Sequence, residues 1–135
     1  MYKRQEILFR GKRVDSSEWF EGSYWLSRSA VRETTYITDG YGNLFCVIPE
    51  TVGQYTGLND KNNVKIFDGD IVTVENPNIS DDEYGIVKFD NDGAMFIVEF
   101  DTFTVDFGNN IDGNRCEIIG NIFDNSELLK GEENE

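Results

Sequence analysis

At 135 residues the chain is one domain's worth of polypeptide, or a domain with a smaller lobe attached, and 26 acids against 12 bases give a net charge of −14. Histidine is absent, which excludes Ser-His-Asp and Cys-His pairs and any His-ligated zinc or iron site; carboxylates, Lys, Tyr, Cys or an oxygen-bound hard cation are the chemistry left. Ten Phe, six Tyr and two Trp beside only two Pro argue for packed β-structure with frequent turns, and against disorder or Pro-rich linkers.

From the N-terminus, "ILFRGKRV" (residues 7–14) sets two short apolar ends around Arg10-Gly11-Lys12 and predicts a hairpin or bend. "EWFEGSYW" (18–25) places Trp19, Phe20, Tyr24 and Trp25 around Gly22 as strand-like pieces with aromatic faces. "SRSAVRETT" (27–35) lacks a helical period and reads as a loop or exposed strand end. "TYITDGYGNLFCVI" (35–48) is a hairpin signal, with the turn at Asp39-Gly40-Tyr41-Gly42-Asn43. Residues 49–66 pass through a polar loop from Asn59 to Asn63.

The pattern then sharpens. Strands are predicted at about 70–75, at 84–89 ("YGIVKF"), 94–100 ("AMFIVEF"), 102–107 ("TFTVDF") and 116–123 ("CEIIGNIF"). Between them lie "NPNISDDE", "DNDG" and "NNIDGN" as loops and turns. "DNSELLKGEENE" offers one helical turn capped by Asn125 or Ser126, then an acidic tail expected to fray. The sum is a mainly β protein. Residues 1–58 form an N-terminal β-rich lobe, 59–124 a small SH3-like β-barrel, and 125–135 the short helical turn and tail.

Charge is uneven along this frame. Residues 1–32 carry seven bases and four acids, and residues 33–135 five bases and 22 acids. A basic segment on an acidic body lies along it, reaches a neighbouring subunit, or meets nucleic acid; the overall acidity weighs against the last. The candidate interaction residues are therefore Arg10, Lys12, Arg13, Trp19, Tyr24 and Trp25. In "FRGKR" (9–13) a charged turn paired with acids is favoured over phosphate binding, and the aromatics over base or sugar stacking as core or interface.

The acidic motifs read as turns. Asp68-Gly69-Asp70 precedes a β-branched run, where a glycine at positive φ and an Asp accepting backbone N–H groups open a strand. "KFDNDGAMFIVE" (88–99) supplies Asp90, Asp92, Gly93 and Glu99 at positions 3, 5, 6 and 12 of a calcium loop, but Lys88 stands at position 1 and the flanks read as strands. "SDDE" (80–83) reads as a solvated loop. Cys46 and Cys116 lie in apolar strands, outside any CxxC spacing, as small packing residues. No catalytic residue, cofactor site or metal site is expected. Without a leader or spanning segment, a cytosolic protein with reduced thiols is the expectation.

The residues also resemble a family. "ILFRGKRVDSSEWFEGSYW", "VIPETVGQYTGLNDKNNVKIFDGDIV", "YGIVKFDNDGAMFIVEF" and "EIIGNIFDNSELL" look like the YopX family of phage and prophage proteins, from about Ile7 to Leu129. The most specific stretch is Thr51-Val52-Gly53-Gln54-Tyr55-Thr56-Gly57-Leu58 leading into Asp68-Gly69-Asp70-Ile71-Val72. Asn62-Asn63 departs from the family's frequent Asn-Gly, which implies a changed turn within the same fold. The resemblance implies a small phage-encoded accessory protein of the bacterial host cytoplasm and carries over no activity or catalytic residue.

The reading that follows is a non-enzymatic β-rich protein-binding or assembly module, a homo-oligomer with a further protein partner and no membrane association. A nucleic-acid accessory factor using the basic N-terminal segment is the alternative, and a carboxylate-dependent metalloenzyme the second alternative.

Overall fold

The computed structural model describes residues 4–107 and 112–130. Contacts divide the chain into two compact units, Met1–Gly57 and Leu58–Glu135. Among the described residues the regular structure is strand throughout, apart from 3-10 turns at Pro49–Thr51 and Gly113–Arg115 and one short helix, α1 (Glu127–Lys130). The mainly β expectation and the C-terminal helical turn are both met. The tail, expected to fray, and the first half of the "NNIDGN" turn lie outside the described residues.

In the first unit, β1 (Phe9–Lys12), β2 (Trp19–Arg28), β3 (Glu33–Thr38), β4 (Leu44–Cys46) and β5 (Gly53–Asn59) are ordered β4-β3-β2-β1-β5. Every ladder assigned in it is antiparallel. Strand β2 is long because it serves two partners. Trp19 to Gly22 pair with β1, and Ser23 to Arg28 pair with β3. Gly22 stands at the changeover, where a Cβ would sit 2.0 Å from the Thr38 carbonyl oxygen. Only a residue without a side chain allows that approach. Ile37, Val47 and Tyr55 are the buried centre of the unit.

One local expectation is corrected here. Arg10-Gly11-Lys12 is straight strand, not a bend: Gly11 lies opposite Phe20, and its missing Cβ leaves the space that Val47 fills. The chain turns later, with Ser17 at φ +65°. Gly22 lies within a strand, as its strand-like surroundings suggest, and the stretch 27–35 is two strand ends joined by a loop at Ser29–Arg32, which the Ser29 hydroxyl and backbone close. Strand β5 occupies the stretch leading into the polar loop, where no strand is predicted from the sequence. Its alternate residues Gly53 and Tyr55 are buried, but two glycines and polar neighbours hide that period.

The second unit begins at Leu58, within β5, and the first strand wholly its own is β6 (Lys65–Phe67). There β7 (Asp70–Val74), β8 (Gly85–Asp90), β9 (Met95–Glu99), β10 (Thr104–Asp106) and β11 (Cys116–Asn121) form an antiparallel sheet ordered β10-β9-β8-β7-β11. The first four strands are a meander, and β11 returns to pair with β7. The sheet is open as described. Ile66, Val72, Val74, Ile79, Val87, Val98, Phe100 and Cys116 make its buried core. Hydrophobic burial on this scale is the main force holding so small a sheet.

Candidate functional site

The six candidate residues sort onto two faces of the first sheet. Residues directly opposite one another share a face, and neighbours along a strand alternate. Arg10 pairs with Glu21, Lys12 with Trp19, and Trp25 with Tyr36, which in turn pairs with Cys46. Arg10, Lys12, Trp19 and Trp25 therefore share one face. Arg13 and Tyr24 belong to the other. Tyr24 pairs with buried Ile37 and lies 5.7 Å from the Phe9 ring; Arg13 bridges Val47.

The two arginine charges are engaged inside the unit. The Arg10 guanidinium lies 4.8 Å from the Trp19 ring centre. Arg13 reaches Asp15 at 2.7 Å and covers the Phe20 and Phe45 rings, themselves stacked at 4.0 Å. Arg28 pairs with Glu33 at 3.0 Å. The Lys12 backbone N–H donates to the Thr51 hydroxyl. This face offers both polar and large apolar side chains to solvent, Glu21 and Ser23 beside Trp25 and Leu44. Trp25 is 48% exposed, its ring 5.7 Å from Tyr36, and Leu44, two residues along β4 from Cys46, is 48% exposed as well.

The acidic motifs are structural. Gly69 takes φ +97°, its N–H donates to the Val87 carbonyl, and its own carbonyl accepts from Ile122. Asp70 is buried and its Oδ2 accepts the Phe67 N–H at 2.8 Å, closing the turn between β6 and β7. In the calcium-like segment Lys88 forms an ion pair with Glu99 across β8 and β9, and Asp90 pairs with Met95 in a hairpin. Among the described residues no group of three or more acids or cysteines is placed to hold a metal ion.

Sequence reasoning missed Asp60. It read as part of a polar loop, yet it is 3% exposed. Its Oδ1 accepts the N–H groups of Asn62 and Val64, both at 2.9 Å, and its Oδ2 accepts that of Ile118 at 3.1 Å. Burial pushes this carboxyl up, but the Ile118, Val64 and Asn62 amides outweigh it, with Lys61 adding to them, and hold it below the usual carboxylate range. Asp60-Lys61-Asn62-Asn63 was the available signal, since an Asp ahead of such a turn hydrogen-bonds its own backbone two residues on. Asn63 in this turn has φ +65°. Asparagine visits that left-handed region at little cost, so the exchange from Asn-Gly preserves a tight turn.

Both cysteines are free thiols. Cys116 is fully buried, and desolvation, then the nearby Asp112 and Asp60 charges, push its thiol up to about 12. Cys46 is half-buried on β4.

The second unit also holds an open cleft of about 860 Å³. Its lining includes Ile86, Phe100, Leu128 and Leu129 as well as Asp82 and Asp101. The net charge follows the division into units. Residues 1–57 hold seven bases and seven acids, whereas residues 58–135 hold five bases and 19 acids. The whole excess of acid belongs to the second unit.

No helix among the described residues is long and apolar enough to cross a membrane. No match was found among curated proteins. The family model described as YopX protein matches residues 1–130, nearly the whole chain, so the protein belongs to the YopX family.

Proposed function

We propose that the protein is a non-enzymatic accessory protein encoded by a phage or prophage, acting in the host cytoplasm as a β-rich protein-binding and assembly module that forms homo-oligomers. The observation that carries this reading is the half-exposed Trp25, its ring tilted against Tyr36 on a sheet face that also exposes Leu44. Rigid aromatic area of this kind is what protein interfaces bury, and a central Trp commonly dominates their energetics. Arg10, Lys12 and Trp19 extend the same face, and Arg13 and Tyr24 back it from the opposite side. The second unit is an SH3-like barrel in this reading: a four-strand meander whose fifth strand returns to the first, after a 3-10 turn at Gly113–Arg115, has that strand order.

The test is capture of bound proteins from the bacterial host with wild type and Trp25→Ala, alongside the solution mass of each. Loss of a partner or of self-association in a variant that melts like wild type supports the proposal. Identical behaviour of the two proteins removes Trp25 from it. One observation favours a second reading. Arg10 and Lys12 share their face with Trp19, Trp25 and Tyr36, the pairing of cations with aromatics that single-stranded nucleic acid uses. Salt-dependent retention on single-stranded DNA, lost in Trp25→Ala, distinguishes it.

A further inference from the structure

The sheet face that carries Trp25 bears opposite charges at its two ends. Glu21 lies on β2, four residues before Trp25. The register of β2 and β3 runs on into their loop, where the Ser29 N–H donates to the Arg32 carbonyl. Arg32 is thereby on the same face, four residues before Tyr36. Trp25 and Tyr36 are register partners, so they mark the midpoint, about 13 Å from either charge. Glu21 and Arg32 are exposed, and neither has an ion pair among the described residues. Arg10, across from Glu21 on β1, lies against Trp19 instead, with its Nε and Nη2 buried. Between the two charges, on β2, β3 and β4, the face holds only Ser, Thr, Trp, Tyr, Leu and Cys, in a chain of which 28% is charged. We infer that this face binds the same face of a second copy, as an isologous dimer whose two-fold axis crosses the strands at the Trp25–Tyr36 pair. The inference rests on the assembly reading and names the partner surface.

The charge pattern selects that occupant. Rotation about such an axis reverses the strand direction, so the Glu21 end of one copy lies over the partner's Arg32 end, and the other way round. Two ion pairs form together, and the uncharged centres stack with an aromatic pair from each copy at the axis. Sheets packed about 10 Å apart leave a gap that a Glu and an Arg side chain span between them. A polyanion would meet Glu21 at one end of the face and a basic partner would meet Arg32 at the other, whereas a second copy answers both. The face also lies in the unit whose acids and bases balance, which limits the self-repulsion of a chain at −14. Size sets the strength. Three strands about 4.8 Å apart and roughly 16 Å long cover on the order of 250 Å² per copy, against the about 800 Å² of a standard interface. The dimer is therefore weak and concentration-dependent, and being isologous it closes at two copies.

Sedimentation velocity on the full chain, over a concentration series, tests this by charge exchange. Wild type should approach twice the 15.5 kDa of one chain as concentration rises. Glu21→Arg and Arg32→Glu should each weaken dimerisation by about tenfold or more, since either one sets two like-charge contacts in the dimer. Mixing the two variants should restore it, because one copy then carries arginine and the other glutamate at both facing ends. Restoration by mixing is the decisive result, since one damaged fold does not repair another. Association unchanged in both variants, a mixture no better than either variant alone, or growth beyond two copies overturns the inference and leaves the assembly reading standing. A wild type that stays monomeric at every concentration overturns both. Should a charge variant fail to fold, amide chemical shifts of wild type across the same dilution provide the second measurement. The largest changes are expected at Trp25, Tyr36 and the β4 residues beside them, and changes confined elsewhere would contradict the docking.

Discussion

Gly69 sits at φ +97° between two aspartates, with both its N–H and its carbonyl in hydrogen bonds and Asp70 tying the turn to Phe67. A β-branched side chain cannot take that backbone without strain. Gly69→Val should lower stability by on the order of 1–3 kcal/mol in chemical denaturation, and a wild-type midpoint would refute the turn reading. Asp60 gives a prediction in pH. Its folded-state pKa lies below the unfolded value of about 3.9, so its contribution is complete above that value and fades as pH falls through the lower folded-state value. Asp60→Asn should cost on the order of 2–3 kcal/mol at pH 7, since a charged acceptor of three backbone amides is lost. The difference from wild type should narrow as the pH drops below about 4. Thermal melts at several pH values read it, and a constant difference would contradict it. Cys116, buried and with its thiol held up to about 12, should ignore a thiol reagent at pH 8 that modifies Cys46. One thiol is expected to react in the native protein and both in denaturant. Asp70 was legible as turn chemistry from its neighbours alone. The role of Asp60 was not, because its third amide comes from Ile118, far along the chain.

The hairpin of β8 and β9 shows which elements a sequence can declare. Its strands alternate, its turn is Asn-Asp-Gly-Ala, and the register Asp90↔Met95 follows. The left-handed residue is nevertheless Ala94, at φ +54°, and not one of the residues that suit it. Ala94→Gly should therefore raise stability by roughly 0.5 kcal/mol, a gain trimmed by glycine's larger unfolded entropy. The calcium-like spacing in the same segment is a by-product of this hairpin. Lys88 pairs with Glu99 where a first carboxylate would be needed, so calorimetric titration with Ca²⁺ should show no micromolar site. A saturable site abolished by Asp92→Ala would overturn that. All five strands of the second sheet were readable, because each buries alternate residues or a short apolar run between turn residues. Strand β5 was not, and β2 was read only as strand-like pieces around Gly22. Glycine inside a strand is locally indistinguishable from glycine in a turn, and what distinguishes Gly11 and Gly22 is Val47 and Thr38, contributed by distant strands.

At the scale of the whole chain, two β units carry very different charge, one balanced and one holding all the excess acid. Composition showed the basic and aromatic character of the N-terminal stretch, and with it the six candidate residues. It could not show that four of them share a face and two do not, since that depends on pairing with β1 and β3. Nor could it show the cleft, whose lining comes from segments between Asp82 and Leu129. An assembly held by exposed aromatic area and by opposite charge should weaken with salt without vanishing, because apolar burial does not depend on ionic strength. Light scattering of the purified full chain, across protein concentration at low and high salt, tests this most directly. The account predicts a mass above the 15.5 kDa of one chain at low salt, reduced but still elevated at high salt. A mass of one chain under every condition would contradict it.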